Sequence, residues 1–282
     1  MIKFRNQLAC AVLGMSLVCG CGGGTAPTTG ERASRGTEAG SAADNSAEVA
    51  TAEPQLEAVP EQTEPGDADF PRGSVAFAAL VAAAQSNDAD AWSQAEAKLQ
   101  ELGVHATAAL AAHLEDENQV ARELAAMFLA QIGPEASSAA SGLVKLLNDD
   151  STFARVNAAA ALSTFEGYAD KVGPVLTQLL GDEDENVRLT AATSLRNLGP
   201  EASKAVMGLS KALRDPNPQI RAAAAATLGE IGPEAIASLP ALRQLRSDNE
   251  EAVVTAATRA IRQIDESSRD NTAVATPASA TE

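Results

Sequence analysis

The chain has 282 residues, a formal net charge of −17 at pH 7, and 45% hydrophobic but only 3% aromatic residues. Its hydrophobic residues are mostly Ala and Leu, which favours helices over β-sheets. The excess of acidic residues argues against nucleic acid as a partner and against electrostatic binding to anionic lipid, because both need clustered Lys and Arg. The length is sufficient for one large domain.

Residues 1–20 have the pattern of a signal peptide. Lys3 and Arg5 precede an apolar run from Leu8 to Val18, as in an n-region followed by an h-region. This run is shorter than the roughly 20 residues that a membrane-spanning helix needs. The pattern predicts an exported protein.

The string Val18-Cys19-Gly20-Cys21 resembles the bacterial lipobox. The resemblance implies cleavage before Cys21 and lipidation of Cys21, which anchors the chain to a bacterial membrane facing the periplasm or the cell surface. After this cleavage Cys21 would be the only cysteine, so no internal disulfide and no cysteine metal site would remain. The alternative is a secreted protein in which Cys21 is incidental.

A linker is expected from residue 21 to residue 73, and a tail from residue 265 to residue 282. Residues 22–73 contain ten acidic and three basic residues and no helical stripe of apolar residues. Such a composition cannot bury enough apolar surface to offset the entropy of ordering. Both segments are therefore predicted to be disordered.

Residues 74–264 form a repeat with a period near 33 residues. The four regular windows are 115–147, 148–180, 181–213 and 214–245, preceded by a degenerate window and followed by a partial one. Three of them contain Gly-Pro-Glu-Ala, beginning at Gly133, Gly199 and Gly232.

Each window is predicted to contain parts of two helices. Gly ends one helix, Pro begins the next, and Glu favours the positive end of the helix dipole. Apolar residues recur at spacings of three and four, which indicates one buried helix face. Two such stripes are Val187, Ala191, Leu195, Leu198 and Ile220, Ala224, Leu228, Ile231. Because one helix pair cannot bury its stripe alone, neighbouring pairs must stack.

An Asp precedes an Arg by six residues in each regular window. The pairs are Asp116/Arg122, Asp149/Arg155, Asp182/Arg188 and Asp215/Arg221. This register resembles HEAT repeats, especially their phycobilisome-lyase-like class. The resemblance implies an all-α fold, a right-handed α-solenoid of about six helix pairs.

The Asp and Arg residues are predicted to form a structural ladder. The Asp would cap free N–H groups near the start of the second helix, and the Arg would bind carboxylates that include the Asp of an adjoining repeat. The outer windows have Asp88 with Gln94 and Asp248 with Val254, as expected for units at the ends of a ladder.

Catalytic chemistry finds little support. His105 and His113 are eight residues apart, whereas paired metal ligands on a helix are three or four apart. The acidic run from Asp182 to Glu185 lacks the alternating oxygens of a calcium loop and is interpreted as a helix start. We expect no catalytic, cofactor-binding or metal-binding residue, and no enzyme.

The remaining candidate site is a face of the second helices, which line the concave side in HEAT-like solenoids. We expect a lipid-anchored envelope protein that binds or scaffolds a protein or peptide there, without nucleic acid. The alternatives are a cofactor-handling chaperone or lyase of the phycobilin-lyase type, and a passive envelope component. The candidate face comprises Thr190, Thr193, Arg196, Asn197, Thr227 and Glu230, with Glu123, Asn157, Thr258, Arg259 and Arg262 as further members.

Overall fold

The structure, a computed structural model, describes residues 69–274. Within this range the chain forms α-helices and short 3₁₀ segments, and no strand. The helices are α1 Asp69–Ser86, α2 Ala89–Leu102, α3 Thr107–Ala112, α4 Gln119–Ile132, α5 Ala140–Leu146, α6 Thr152–Leu162, α7 Ala169–Leu179, α8 Glu185–Asn197, α9 Val206–Ala212, α10 Pro218–Ile231, α11 Leu239–Gln244 and α12 Glu251–Val274.

Consecutive helices pair as α1/α2, α3/α4, α5/α6, α7/α8, α9/α10 and α11/α12, and each pair stacks on the next. The all-α solenoid of about six helix pairs is therefore confirmed. The second helices α4, α6, α8, α10 and α12 pack side by side. The expected signal peptide, Cys21 and the linker up to residue 68 lie outside the described residues.

Two predicted segment boundaries differ from the structure. Helix α1 begins at Asp69, inside the expected linker, because Phe77 and Leu80 on its inner face are fully buried and the helix extends N-terminally from them. Helix α12 continues past residue 264 to Val274. Residues 265–274 contain neither Gly nor Pro, so no residue of the kind that usually stops a helix follows the last buried turn.

The glycines of the Gly-Pro-Glu-Ala strings end the second helices, as predicted. Gly133 and Gly232 have φ values of +80° and +79°, in a region that a side chain makes unfavourable. The backbone N–H of Gly133 donates to the carbonyl of Leu129 and closes the last turn of α4.

The segment after each of these glycines is a 3₁₀ helix rather than the first turn of an α-helix. These segments are Gly133–Ala139, Gly199–Ala205 and Gly232–Ser238, and a shorter one spans Gly103–Ala106. The buried residues in them are three apart, as in Ala136 and Ala139. Side chains three residues apart lie one above the other in a 3₁₀ helix, so this spacing buries small residues against the stack.

The apolar stripes predicted for the second helices lie in the core. In α10 and the residue spacing that precedes its end, Ile220, Ala224 and Leu228 are fully buried and Ile231 is 2% exposed. In α8, Val187, Ala191 and Leu195 are buried as well. The abundance of Ala in these stripes lets the helices approach closely.

The residues that cap the second helices are not the predicted aspartates. The N-caps of α4, α6, α8 and α10 are Asn118, Ser151, Asp184 and Asn217, each accepting a backbone N–H with its side chain. Each ladder aspartate lies two residues earlier, and its carboxylate accepts the N–H of the cap residue. The aspartates thus fix the turn before the helix, as in an Asx-turn, while a second polar residue caps it.

Candidate functional site

Arginines of the second helices bind the aspartate of the next repeat at two points. Arg122 Nε lies 2.7 Å from Asp149 Oδ2, and its Nη2 lies 3.2 Å from Asp149 Oδ1. The guanidinium group matches the carboxylate geometry, so the bond is both strong and directional. The same arrangement joins Arg188 to Asp215 and Arg221 to Asp248.

The same arginines also bind their own repeat. Arg188 Nη1 donates to the carbonyls of Asp182 and Glu183, at 2.9 and 3.0 Å. The side chains of Arg188 and Asp215 are only 13% and 7% exposed, so water screens this pair weakly. Each such arginine therefore joins the turn of its own repeat to the turn of the next.

The ladder is interrupted at Arg155. Its Nη1 donates to the carbonyl of Asp149 at 2.7 Å, as the register predicts, but its Nη2 donates to Thr152 Oγ1 at 2.9 Å. Among the described residues no ion pair joins Arg155 to Asp182. The intervening helix α7 has no Gly-Pro-Glu-Ala string and no preceding 3₁₀ segment. An α-helix rises about 1.5 Å per residue and a 3₁₀ helix about 2.0 Å, so the chain reaches Asp182 by a different path.

The ladder also shifts the acidity of its members. The hydrogen bond from Arg122 lowers the pKa of Asp149 below its ordinary value of 3.8, although partial burial opposes the shift. The hydrogen bond from Arg221 lowers the pKa of Asp248 in the same way. Asp149 raises the pKa of Arg122 in return. These groups are charged at neutral pH and bound to each other, which suits a structural role.

The first ladder carboxylate binds a histidine instead of an arginine. His113 Nδ1 lies 3.0 Å from Asp116 Oδ2, and this bond is the main cause of the lowered pKa of Asp116. The His113 ring also packs on Phe77, with 4.7 Å between the ring centres. His105 lies elsewhere, with its Nδ1 3.4 Å from Asp69 Oδ2. In residues 69–268 no three His, Cys, Asp or Glu side chains are grouped as metal ligands.

The acidic run that could have suggested calcium lies at a helix start. Asp184 caps α8 by accepting the N–H of Asn186 at 2.8 Å, and Asp182 accepts the N–H of Asp184. Glu185 occupies the first turn of α8. The interpretation as a helix start is therefore confirmed.

A cleft lies across the second helices of the last three pairs, α8, α10 and α12. Its volume is about 500 Å³. Arg196, Glu230, Glu251 and Arg259 contribute charged groups of both signs. Small residues form much of the rest of the lining, which consists of Ala226, Ala252, Thr255, Ala256 and Gln263.

The four charged side chains of this cleft are unpaired. Within the part of the chain that the structure describes, none of them forms an ion pair or a side-chain hydrogen bond with another protein group. Charged groups on folded proteins gain by finding partners where the geometry allows, and the alanines beside them leave room for an incoming chain. The cleft can therefore receive a ligand that carries both positive and negative groups.

The structure divides the predicted binding face. Arg196 and Glu230 line the cleft, together with Arg259, whereas Asn197 donates to Ser163 Oγ at 3.1 Å. Thr190 and Thr227 are 5% and 0% exposed.

Thr190 and Thr227 are corrections to the candidate face. Thr227 Oγ1 lies 2.8 Å from the carbonyl of Ala223 and 3.1 Å from that of Ala192, so it fastens α10 to α8. Thr193 is half-buried and bonds within α8, to the carbonyls of Leu189 and Thr190.

Sequence reasoning missed Glu251, Thr255 and Gln263 as cleft residues. They follow the last regular window, where the repeat alignment is weakest. Their spacing of four residues and then eight, on one helix face, is the signal that could have indicated them. The other predicted members Asn157, Glu123, Thr258 and Arg262 do not line this cleft.

Comparison with known proteins agrees with this architecture. The family model for HEAT repeats matches residues 141–208 and 206–276. An engineered protein of known crystal structure has 25% sequence identity and a TM-score of 0.53, over 69% of this chain and 97% of that one. A computationally designed armadillo repeat protein for modular peptide recognition has 22% identity and a TM-score of 0.50, over 69% and 99%.

The complex of CpcE and CpcF of phycocyanin lyase from Nostoc sp. PCC7120 has 26% identity and a TM-score of 0.47, over 57% of this chain and 65% of that one. The search of curated proteins gives no match. None of the helices in residues 69–274 is both long and apolar enough to cross a bilayer. The family match and the stacked helix pairs together identify residues 141–276 as HEAT repeats.

Proposed function

We propose that this protein is a non-enzymatic binding or scaffolding module that holds a protein or peptide segment in the cleft across α8, α10 and α12. The observation that carries the proposal is the set of four charged side chains in that cleft, two of each sign, which have no partner within the described residues. A peptide segment with acidic and basic side chains would pair with them. Solenoids of stacked repeats present extended surfaces that suit such binding.

The cleft also has the form that a peptide needs. Ala226, Ala252 and Ala256 lie between the charged groups, and small side chains let the backbone of a bound segment approach the helices. A protein designed on a similar solenoid fold recognises peptides. This likeness concerns the fold, and the charges of the cleft supply the argument for binding here.

The proposal includes an exported, lipid-anchored location at a bacterial membrane. It is supported by the lipobox-like string that ends at Cys21, by the apolar run before it, and by the absence of other cysteines after residue 21. Lipidation of one cysteine beside a long polar segment would hold the solenoid near the membrane without a spanning helix.

The cleft is tested by photocrosslinking in the cells that produce the protein. A photoreactive residue replaces Thr255 in the cleft, and the control replaces Lys211, which is exposed on α9. We expect a discrete adduct from position 255 and none from position 211. Adding Arg259→Glu should lower the adduct about tenfold, the effect of losing ~1.4 kcal/mol, whereas Arg243→Glu on α11 should leave it unchanged.

An absence of adduct at position 255, or equal adducts at both positions, would contradict binding in the cleft and favour a passive envelope component. Mass spectrometry of the adduct identifies the partner.

The anchor is tested separately with Cys21→Ser. We expect this variant to leave the membrane fraction and to lose the mass of the lipid, because the thiol that carries the lipid is gone. Cys19→Ser is the matched control and should remain with the membrane. Retention of the Cys21→Ser variant would refute the lipid anchor without affecting the cleft.

A further inference from the structure

The first helix pair carries a second groove, far in sequence from the cleft. It lies between α1 and α2 and has a volume of about 550 Å³. Much of its lining is apolar, and cationic groups stand beside the apolar ones. The residues that matter here are Pro71, Val75, Ala79 and Leu102 on the apolar side, with Arg72 and Lys98.

Large apolar side chains are exposed around this groove. Val75 is 72% exposed, Val104 is 46% exposed and Phe70 is 42% exposed. In the other pairs, the equivalent sides of the helices pack against a preceding pair, but no described pair precedes α1. The first unit of a repeat stack needs a cover over the face that an inner unit would bury.

The charge of the groove is unusual for this protein. The chain has a net charge of −17, yet Arg72 and Lys98 line the groove with Glu101 as its one acid. Arg72 is 76% exposed and its nearest carboxylate oxygen, on Asp69, is 3.8 Å away. The groove therefore suits an acidic segment that also carries apolar side chains.

The segment directly before α1 has this composition. Residues 51–68 contain five acidic residues and no basic residue, and their only large aliphatic side chains are Leu56 and Val59. Helix α1 begins at Asp69 and the groove begins at Pro71, so the segment enters the structure beside the groove.

The distances permit the contact. From Pro71 to Ala79 the groove extends along α1 for about 12 Å, at about 1.5 Å per residue. The ten residues between Val59 and Asp69 can span at most about 33 Å. A tether this short gives the segment an effective concentration in the millimolar range at the groove.

We propose that residues 51–68 bind in the groove between α1 and α2 and cover the open end of the solenoid. Leu56 and Val59 pack against the apolar lining around Val75, and the acidic residues pair with Arg72 and Lys98. The segment is thus an intramolecular cap, which keeps the exposed apolar end from other surfaces.

A second copy of the chain fits the groove less well. A two-fold contact would place the same patch of both copies face to face. Arg72 and Lys98 would then meet Arg72 and Lys98 of the other copy, and like charges would oppose the contact. The chain's own acidic segment has no such conflict.

The test uses photocrosslinking in the purified full-length protein. A photoreactive residue replaces Ala79, which lines the groove, and the matched control replaces Ala78, the exposed neighbour that does not line it. The sample mixes chains of natural isotope content with ¹⁵N-labelled chains, so that mass spectrometry separates crosslinks within a chain from those between chains. We expect position 79, and not position 78, to crosslink to residues 51–68 of the same chain.

Two sets of variants test the proposed contacts. Leu56→Asp with Val59→Asp should lower the crosslink yield at least about fivefold, because the apolar contacts are lost, whereas Val49→Asp should leave it unchanged. Arg72→Glu with Lys98→Glu should lower the yield as well. Crosslinks between chains would assign the groove to a second copy. That result, equal yields at positions 79 and 78, or a yield unchanged by the Leu56 and Val59 substitutions would each overturn the proposal.

Discussion

At the residue scale, each ladder arginine has two separable functions. One is shared by all four arginines of the register, because Arg155 and Arg188 both donate to the carbonyl of the aspartate six residues earlier. The other is the two-point bond to the next repeat, which Arg188 makes with Asp215 and Arg155 does not make. Nature thus supplies an internal control for the bond between repeats.

The first prediction uses this difference. Arg188→Ala should lower the free energy of unfolding by about 2–3 kcal/mol, because it removes charge-assisted hydrogen bonds and leaves a poorly solvated carboxylate. Arg155→Ala should cost about 1 kcal/mol, the value of the hydrogen bonds within its own repeat. Urea unfolding followed by circular dichroism measures both. Equal losses for the two variants would show that the bond to Asp215 contributes nothing.

At the element scale, the packing of α10 on α12 depends on one missing side chain. A Cβ atom at Gly229 would lie 2.8 Å from Ala260 Cα and 2.5 Å from Gln263 Oε1. The first of these neighbours is backbone and cannot turn away. The helices that carry the proposed cleft are therefore held together at a point where the chain tolerates only glycine without moving.

The second prediction compares two glycines inside helices. Gly229→Ala should destabilise the protein by about 1–3 kcal/mol, because α12 must shift to admit the methyl group. Gly173→Ala in α7 should stabilise it by about 0.5–1 kcal/mol, because a Cβ there meets nothing within 4 Å and Ala favours the helix. Thermal unfolding of both variants is the measurement, and a stabilised Gly229→Ala protein would refute the close contact.

At the scale of the whole molecule, the ladder makes stability depend on acid. The pKa of Asp116, Asp149 and Asp248 is lowered in the folded protein by hydrogen bonds to His113, Arg122 and Arg221. The unfolded chain therefore binds protons at these positions more readily than the folded chain does. Their contribution is fully present above the ordinary aspartate pKa of 3.8 and is lost as the pH falls below it.

The third prediction follows from this sign. The unfolding temperature should be nearly constant from pH 7 to about pH 5 and should fall as the pH drops through 4 toward 3. Asp149→Asn should be less stable at pH 7 and should lose less between pH 5 and pH 3. Asp150→Asn, at the exposed neighbouring residue, is the control and should follow the unmodified protein. An acid dependence unchanged by Asp149→Asn would exclude this pair as its source.

Much of the fold follows from local signals in the sequence. The period of 33 residues, the glycines after each second helix and the stripes such as Ile220, Ala224 and Leu228 define the helix pairs, because helix ends and buried faces depend on neighbours within a few residues. A pair that cannot bury its stripe alone must stack, so the solenoid follows as well. The sequence also indicated that Asp and Arg six residues apart belong to one device.

Only the tertiary structure decided which of these signals meet across repeats. Arg155 and Arg188 have the same register in the sequence, but the different path through α7 leaves Arg155 without the bond to Asp182. Thr227 has the polarity of a surface residue, yet the stacking of α10 on α8 buries it. Glu251 and Arg196 are far apart in the chain and line one cleft because three second helices lie side by side. Contacts of this kind depend on how one pair is rotated on the next, and small differences in helix path set that rotation.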